Sequence, residues 1–424
     1  MHVSRVLRAA AVAGGLLTGV ALLGVVPAVA SGKTLPTHYQ VLSVPVGSFP
    51  LGVAVDNVSG DVYVANNGSN TASVIGESTN TVIDTQAVDS PQGVAFDADT
   101  NTVYVTNEKT DTVSALHIEP RGIVTTTIPV DADPYGVAVD ETTDTIYVTN
   151  TLSGTVSVID GETNTVTTTI VVGDAPERVA VDETTDTAYV TDQGSQTVSV
   201  IDGVTNTVIA SVEVGVGPDA VAVDETTDTI YVTKPVSGKV SVIDGKTDTV
   251  TATVTVGSDP QGIAVDGTTD TIYVTNETSG TVSVIDGAKH KVTATVTVGD
   301  DPTGVAVDET TGAVYVANNE SSGTVSVINA ATITASPSTG PPKTSVTISG
   351  RGFTPLEIVK VSYETGIASP KSVTICTAAV LSDTSYSCTG TIPPKAKAGA
   401  AADHNIVAKG QTSLIKVETT FALT

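Results

Sequence analysis

Six residues break the pattern of a repeated sequence, and they are this chain's strongest candidates for binding chemistry. In most repeats a Pro-x-Gly loop precedes a short apolar strand, and Asn follows Tyr-Val-Thr or Tyr-Val-Ala. The fourth and fifth repeats break both rules, and the third carries the only aromatic side chain at its loop position. The residues concerned are Tyr135, Glu177, Arg178, Asp192, Asp219 and Lys234.

Two cations, three carboxylates and one aromatic ring on adjacent repeats suit the capture of a small polar ligand. Arg178 and Lys234 stand out because residues 31–330 contain nine Lys and Arg against 41 Asp and Glu. A fixed pair of cations would bind a carboxylate or a sugar-like molecule. The alternative is drift of the repeat with local ion pairs, which are common and weak on protein surfaces.

These residues belong to a sequence that repeats seven times between residues 39 and 330, with a period of 41 to 43 residues. A proline before a short apolar strand marks each repeat, and a tyrosine follows at a constant step. The prolines are Pro50, Pro91, Pro134, Pro176, Pro218, Pro260 and Pro302, and the tyrosines are Tyr63, Tyr104, Tyr147, Tyr189, Tyr231, Tyr273 and Tyr315. A period near 40 with strand-like contents is typical of a radial array of small sheets. We therefore predict an all-β fold with a seven-bladed β-propeller over residues 31–330.

Each repeat contains four strand-like segments separated by turns. In the sixth repeat we predict them at 262–266, 271–276, 281–285 and 291–298. The first is small and apolar and suits the central channel, and the second alternates as half-buried strands do. The last is β-branched and is expected at the outer edge. The Pro-x-Gly loops and the residues after Tyr-Val-Thr then share one face, which places the six residues in one sector of the channel mouth.

The seventh repeat ends after three of its four strands. Residues 39–47 match the register of the outer strand in the other repeats. We therefore predict that a strand from the start of the propeller sequence completes the last blade and closes the ring. Removing it is expected to cost far more stability than trimming a chain terminus usually does.

The strand sequence Tyr-Val-Thr-Asn occurs at 147–150 and 273–276, each time followed by Thr-Val-Ser-Val-Ile. Together with the Pro-x-Gly loop and the period, this motif closely resembles the YVTN-repeat β-propeller family over residues 39–330. The resemblance implies a secreted or cell-surface seven-bladed propeller. It supplies no family-wide catalytic residues.

The repeat stops after Ala330. Residues 331–342 are rich in Pro, Ser and Thr and are expected to form a linker to a small immunoglobulin-like β-sandwich over 343–424. The segment 345–353, Ser-Val-Thr-Ile-Ser-Gly-Arg-Gly-Phe, resembles the start of an IPT/TIG-type immunoglobulin-like domain. This region holds the only two cysteines, Cys376 and Cys388. They are predicted to form a disulfide outside the cell, the alternative being two buried thiols.

The first 30 residues have the order of a secretory signal peptide. Arg5 and Arg8 precede an apolar stretch over 9–26, and the small residues Ala28-Val29-Ala30 follow. Cleavage is expected before Ser31, and the alternative is an uncleaved anchor. The mature chain is therefore expected to be extracellular or at the cell surface, without a transmembrane segment.

The charge of the chain limits its partners. The formal net charge is −27, and the propeller segment carries all of the excess acid, since the rest of the chain is net positive. Such a surface repels phosphate polymers, so nucleic acid is not an expected partner. Solubility of a disc with exposed edge strands accounts for the charge more simply than a cation-binding role does. The expected partner is an extracellular ligand or protein whose identity the sequence leaves open.

Enzymatic chemistry has few candidates in this sequence. Propellers of the lactonase and lyase type, which this fold resembles, typically place histidine or metal-binding carboxylates at the channel mouth. His117 and His290 are predicted on the opposite face, His38 lies near the closing strand, and His404 belongs to the small domain. No set of nucleophile, histidine and acid is apparent, and no catalytic residue is assigned. A carboxylate pair such as Glu177 with Asp219 remains available for acid–base work.

Asp-x-x-x-Asp spacing recurs in four repeats, as in Asp140 and Asp144. Oxygen ligands at short spacing suit calcium, yet each pair also stands where a hairpin turn favours Asp. Turn chemistry is the better explanation, and neither a metal nor a cofactor is predicted.

The sequence thus favours a non-enzymatic binding or interaction module with its ligand at the channel mouth near blades 3–5. One alternative is a lactonase- or lyase-like enzyme that uses the carboxylates of the same mouth. Another is a structural component of a surface layer.

Overall fold

The computed structural model describes residues 39–424 except 77, 120–121, 354–355, 366–370, 382–383, 395–402 and 414. The predicted signal peptide, residues 1–30, and His38 lie outside the described residues. Within the described part of the chain, no helix is long and apolar enough to cross a membrane. The two 3₁₀ turns there are Glu108–Thr110 and Pro235–Ser237.

Seven four-stranded antiparallel sheets form the propeller that the repeats predict. Strand β1 is Tyr39–Pro45, and blades 1 to 3 follow it. Blade 1 contains β2 to β5 at Pro50–Val55, Val62–Asn66, Thr71–Gly76 and Thr81–Ala87. Blade 2 contains β6 to β9 at Pro91–Asp97, Thr102–Asn107, Thr112–Glu119 and Gly122–Pro129. Blade 3 contains β10 to β13 at Pro134–Asp140, Thr145–Asn150, Thr155–Asp160 and Thr165–Val171.

Blades 4 to 7 continue the same order of strands. Blade 4 contains β14 to β17 at Pro176–Asp182, Thr187–Asp192, Thr197–Asp202 and Thr207–Glu213. Blade 5 contains β18 to β21 at Val221–Asp224, Thr229–Lys234, Lys239–Asp244 and Thr249–Thr255. Blade 6 contains β22 to β25 at Pro260–Asp266, Thr271–Asn276, Thr281–Asp286 and Lys291–Thr297. Blade 7 contains β26 to β28 at Pro302–Asp308, Ala313–Asn318 and Thr324–Ala330.

Burial within a blade follows the residue types of its strands. The second and third strands are apolar and almost entirely buried, whereas the outer strands, such as β13, alternate exposed and partly buried residues. The faces of adjacent blades share one core: Tyr147 and Val156 of blade 3 belong to the same cluster as Val190 and Ile201 of blade 4. The propeller is therefore stabilised by contacts between neighbouring sheets.

Strand β1 completes blade 7 from the far end of the propeller sequence. It lies antiparallel to β28, with Val44 opposite Val325 and Leu42 opposite Val327. Val44 is buried in a cluster that also contains Tyr315 of blade 7 and Val62 of blade 1. The first and last blades are thus joined by a strand that neither blade's own repeat supplies.

The C-terminal domain consists of two sheets around a single core. One sheet contains β29, β31 and β34 at Thr332–Ser336, Ser345–Arg351 and Tyr386–Thr391. The other contains β30, β32, β33, β35 and β36 at Thr339–Gly340, Ile358–Glu364, Ser372–Ala379, Asp403–Gly410 and Lys416–Leu423. Cys376 of β33 and Cys388 of β34 form the predicted disulfide, which joins the two sheets.

The linker predicted at 331–342 is a point where the structure differs from the sequence analysis. Residues 332–336 form β29, which pairs with β31, and 339–340 form β30, which runs parallel to β36. The composition of Pro, Ser and Thr obscured a short alternating strand whose Ile333 is buried with Val346 and Ile348. Most of the expected linker is therefore part of the sandwich.

Candidate functional site

The first strands of the seven blades surround a cavity of about 130 Å³ on the propeller axis. The residue at the Gly position of each blade's Pro-x-Gly loop lines this cavity, and together the seven form a ring. They are Gly52, Gly93, Gly136, Arg178, Ala220, Gly262 and Gly304. The small residues are required because adjacent blades approach closely here. A Cβ atom on Gly136 would lie 2.7 Å from the carbonyl oxygen of Glu177. Arg178 is the one charged residue among the described residues that line this cavity.

Threonine hydroxyls fix the loop residues that precede this ring. In blade 3, Thr149 Oγ1 accepts a hydrogen bond from Gly136 N–H at 2.8 Å and donates to Glu177 O of blade 4 at 2.7 Å. Equivalent bonds run from Thr106 to Tyr135 O and from Thr191 to Asp219 O. In blades 2 to 6 the threonine after Tyr-Val thus ties one blade to the loop of the next, whereas blades 1 and 7 carry alanine there. The sequence analysis missed this positioning role.

Four of the six predicted residues meet at the channel mouth: Tyr135, Glu177, Arg178 and Asp219. We call them the mouth cluster. The guanidinium of Arg178 lies over the Tyr135 ring, with Cζ 4.6 Å from the ring centroid. Burial lowers the pKa of Arg178, but the charges of Tyr135, Asp219 and Glu177 outweigh this and the pKa is raised. Arg178 is therefore a fixed cation at neutral pH.

Both carboxylates of the mouth cluster hold protons more tightly than they would in water. Burial, with the nearby charge of Asp219, raises the pKa of Glu177 to about 7 against the opposing effect of Arg178. Burial raises the pKa of Asp219 to about 6, again opposed by Arg178 and reinforced by Asp259. Near neutral pH the cluster can therefore both accept and donate hydrogen bonds.

The rim around the mouth cluster is acidic and amide-rich. Gln92 donates to Glu108 at 2.5 Å, and Gln261 donates to Asp259 at 3.3 Å. Burial and the charges of Asp259, Asp301 and Asp219 raise the pKa of Glu277. The sequence analysis did not single out these residues. Sequence comparison of the residue that follows the loop proline could have found Gln92 and Gln261. They occupy the same position in their repeats as Tyr135 and Glu177 do in theirs.

Asp192 lies apart from the mouth cluster, at the end of β15. Its buried carboxylate accepts hydrogen bonds from Ser199 Oγ at 2.7 Å and Gly173 N–H at 3.1 Å. Asn276 makes the same two connections in blade 6, to Ser283 and Gly257. The position after Tyr-Val-Thr is thus a bridge within the scaffold. Burial raises the pKa of Asp192 to about 6, against hydrogen bonds that lower it.

Lys234 occupies the same scaffold position in blade 5 and is also not part of the mouth cluster. Its Nζ donates to Val214 O at 3.1 Å, and burial, with the charge of Lys239, lowers its pKa. The hydroxyl of Ser241, which an Asn would reach, is buried without a hydrogen bond among the described residues. The expected pair of cations at the mouth is therefore reduced to Arg178.

Among the described residues, no group of three His, Cys, Asp or Glu side chains is close enough to hold a metal ion. The Asp residues at the repeated spacing make turns instead: Asp140 Oδ1 accepts a hydrogen bond from Thr143 N–H at 3.0 Å. The chemistry available at the mouth is that of one guanidinium, one phenol and two carboxyl groups.

Comparisons with known proteins agree with the fold. A family model described as "Lactonase, 7-bladed beta-propeller" matches residues 232–356, which run from blade 5 into the C-terminal domain and exclude the mouth cluster. A chain of the solved structure entitled "Kuenenia stuttgartiensis Hydrazine Synthase" is similar with a TM-score of 0.60 and 19% identity, over 70% of this chain and 97% of that chain. A likeness at this identity concerns the fold alone. No curated protein matches this chain.

Proposed function

We propose that this chain is a secreted or cell-surface, YVTN-type propeller that acts as a non-enzymatic binding module, with a small ligand held at the mouth cluster. The C-terminal domain, with its IPT/TIG-like sequence, is an accessory β-sandwich. The observation that carries the proposal is Arg178. Five of the seven equivalent ring positions hold Gly and one holds Ala, so an arginine here places a charge where the scaffold has none.

The chemistry of Arg178 favours a ligand with a carboxylate or similar acceptor group. Its guanidinium takes part in neither of the two ion pairs among the described residues, which are Lys289–Asp286 and Lys416–Glu418. Tyr135 contacts the guanidinium through its ring and a hydrogen bond, and the donors that carry no carboxylate can serve a ligand. Glu177 and Asp219 lie beside Arg178 at the mouth and supply further polar groups next to the cavity that Arg178 lines.

A thermal-shift screen of the mature chain against short carboxylates, sugar acids and lactones tests this function. We expect a ligand-specific rise in melting temperature that is lost in Arg178→Gly, because this substitution restores the residue found in most blades. Lys234→Asn is the matched control: it also restores the repeat consensus, but away from the mouth cluster, and is expected to keep the response. A rise that persists in Arg178→Gly contradicts the proposal, as does the absence of any response.

A lactonase-like enzyme is the second candidate, and the family-model match over residues 232–356 is the observation that favours it. Glu177, with its pKa raised to about 7, is the residue best suited to move a proton there. Hydrolysis of a panel of lactones separates the two candidates. We expect no hydrolysis above the buffer rate. Turnover by the wild type that is abolished in Glu177→Gln establishes the enzyme instead.

A further inference from the structure

The carboxylate of Asp219 belongs to the mouth cluster and has no direct donor there. It is 9% exposed, and no hydrogen bond or ion pair reaches its carboxylate among the described residues. Its backbone is nevertheless fixed on both sides, since its N–H donates to Thr233 O at 3.1 Å and its carbonyl accepts from Thr191 Oγ1. A buried carboxylate without a hydrogen-bond donor is unfavourable, and the backbone bonds of Asp219 hold it in this environment.

The loop that carries Asp219 also differs from its six counterparts. The first strand of every other blade begins at its proline, whereas β18 begins only at Val221. Gly215 and Gly217 precede the loop with φ of 91° and 60°, and a Cβ on Gly215 would meet nothing within 4 Å. The segment around Asp219 therefore precedes the regular part of β18, although Asp219 and Ala220 still hydrogen-bond to Thr233 of β19.

Charge selects among the classes of ligand. Asp133 and Asp259 act on Glu177 and Asp219, so the surroundings of Arg178 are predominantly acidic. A purely anionic ligand meets this repulsion, and a purely cationic one meets Arg178. A molecule with both charges can place its carboxylate against Arg178 and its cationic group against Asp219. Arg178 lines the axial cavity of about 130 Å³, and Asp219 acts on Arg178 from outside the cavity lining. A cavity of this size is of the order that admits small molecules, since cavities of about 150 Å³ accept benzene.

We infer that the ligand of the mouth cluster is zwitterionic, with a carboxylate bound by Arg178 and an ammonium group bound by Asp219, as in a free α-amino acid. This inference rests on the proposed function and narrows it to one ligand class. Tyr135 holds the guanidinium in place from one side. Glu177, which lies beside Arg178, provides a further hydrogen bond.

Calorimetric titration of the mature chain with alanine, propionate and ethylamine tests the inference, because the last two each lack one of alanine's charges. We expect alanine to bind at least tenfold more tightly than either fragment. Asp219→Asn is expected to reduce the affinity for alanine to that for propionate, and Arg178→Gly to abolish both. Asp192→Asn, a change at a buried carboxylate outside the mouth cluster, is the control and is expected to bind like the wild type.

The outcomes separate this inference from the proposed function. If propionate binds through Arg178 and alanine binds no better, the zwitterionic ligand is wrong and the binding module stands. If neither these molecules nor the sugar acids and lactones bind, the proposed function itself is contradicted. The comparison of alanine with its fragments uses the wild type, so it holds even where a variant folds poorly.

The same titration has a pH dependence with a defined sign. The charged or titratable groups that act on or respond to Asp219 are Arg178, Tyr135, Glu177, Asp259 and Glu277. An ammonium group favours ionised Asp219, whose pKa is about 6 in the free protein, so binding at pH 5 must first remove its proton. The affinity for alanine is therefore expected to fall about tenfold between pH 7 and pH 5. An affinity that is unchanged over this range contradicts the contact with Asp219.

Discussion

Replacing Val44 with Asp is expected to unfold the propeller or to destabilise it severely, whereas replacing the adjacent Ser43 with Asp should have little effect. Val44 is 2% exposed and packs between blades 7 and 1, while Ser43 points to solvent on the same strand. An aspartate at position 44 would be a buried charge without a partner. We expect the free energy of unfolding to fall by about 4 kcal/mol or more.

Thermal and urea unfolding of the two variants measure this difference. Deleting residues 39–45 is the stronger form of the test, because it removes all seven pairings between β1 and β28. That deletion should lower the melting temperature far more than the loss of a chain terminus usually does. Equal stability of Val44→Asp, Ser43→Asp and the wild type would show that β1 does not close the ring.

Asp192→Asn is expected to stabilise the protein at pH 7–8 by up to about 3 kcal/mol, since a shift of one pKa unit corresponds to about 1.4 kcal/mol. Its pKa is about 6 in the folded protein against 3.8 for the unfolded chain, so the folded state holds the proton more tightly. The wild type therefore loses stability as the pH rises from about 4 through 6. An asparagine keeps the contacts seen at Asn276 and carries no buried charge.

Unfolding curves measured from pH 3.5 to pH 8 check both the size and the sign of this effect. The gain from Asp192→Asn should disappear near pH 4, where Asp192 is protonated in the folded protein. Asn276→Asp is the matched reverse substitution in blade 6 and should cost a similar amount at pH 7. A gain that does not depend on pH, or a neutral Asn276→Asp, would refute the assignment of the effect to a buried carboxylate.

The propeller could be predicted from the sequence because each repeat encodes one sheet, and seven repeats of nearly equal length leave few alternatives. Strand β1 was predictable for the same reason: its register matches that of the outer strands. The start of the sandwich was not, since β29 is only five residues long and its single buried isoleucine stands among Thr, Ser and Pro. Short strands of this kind are defined by the partner strand, which the local sequence does not reveal.

The candidate site was predictable in part. The mouth cluster forms because its residues stand in the equivalent loops of three neighbouring blades. Tyr135, Glu177 and Asp219 directly follow the loop proline, and Arg178 comes next after Glu177. Asp192 and Lys234 do not join them because the position after Tyr-Val-Thr ends the second strand and bonds to the third, away from the axis. Residues on the same face of the propeller can therefore lie at different distances from the central channel. The raised pKa values of Glu177 and Asp219 depend on burial, which only the structure provides.

The most direct test of the binding site is a crystal structure of the mature chain with the tightest-binding member of the alanine, propionate and sugar-acid panel. The ligand should lie at the channel mouth, with an acceptor group within hydrogen-bonding distance of the Arg178 guanidinium. For alanine, its ammonium group should contact Asp219. A ligand bound elsewhere at saturating concentration, with the mouth cluster free of it, would contradict the account.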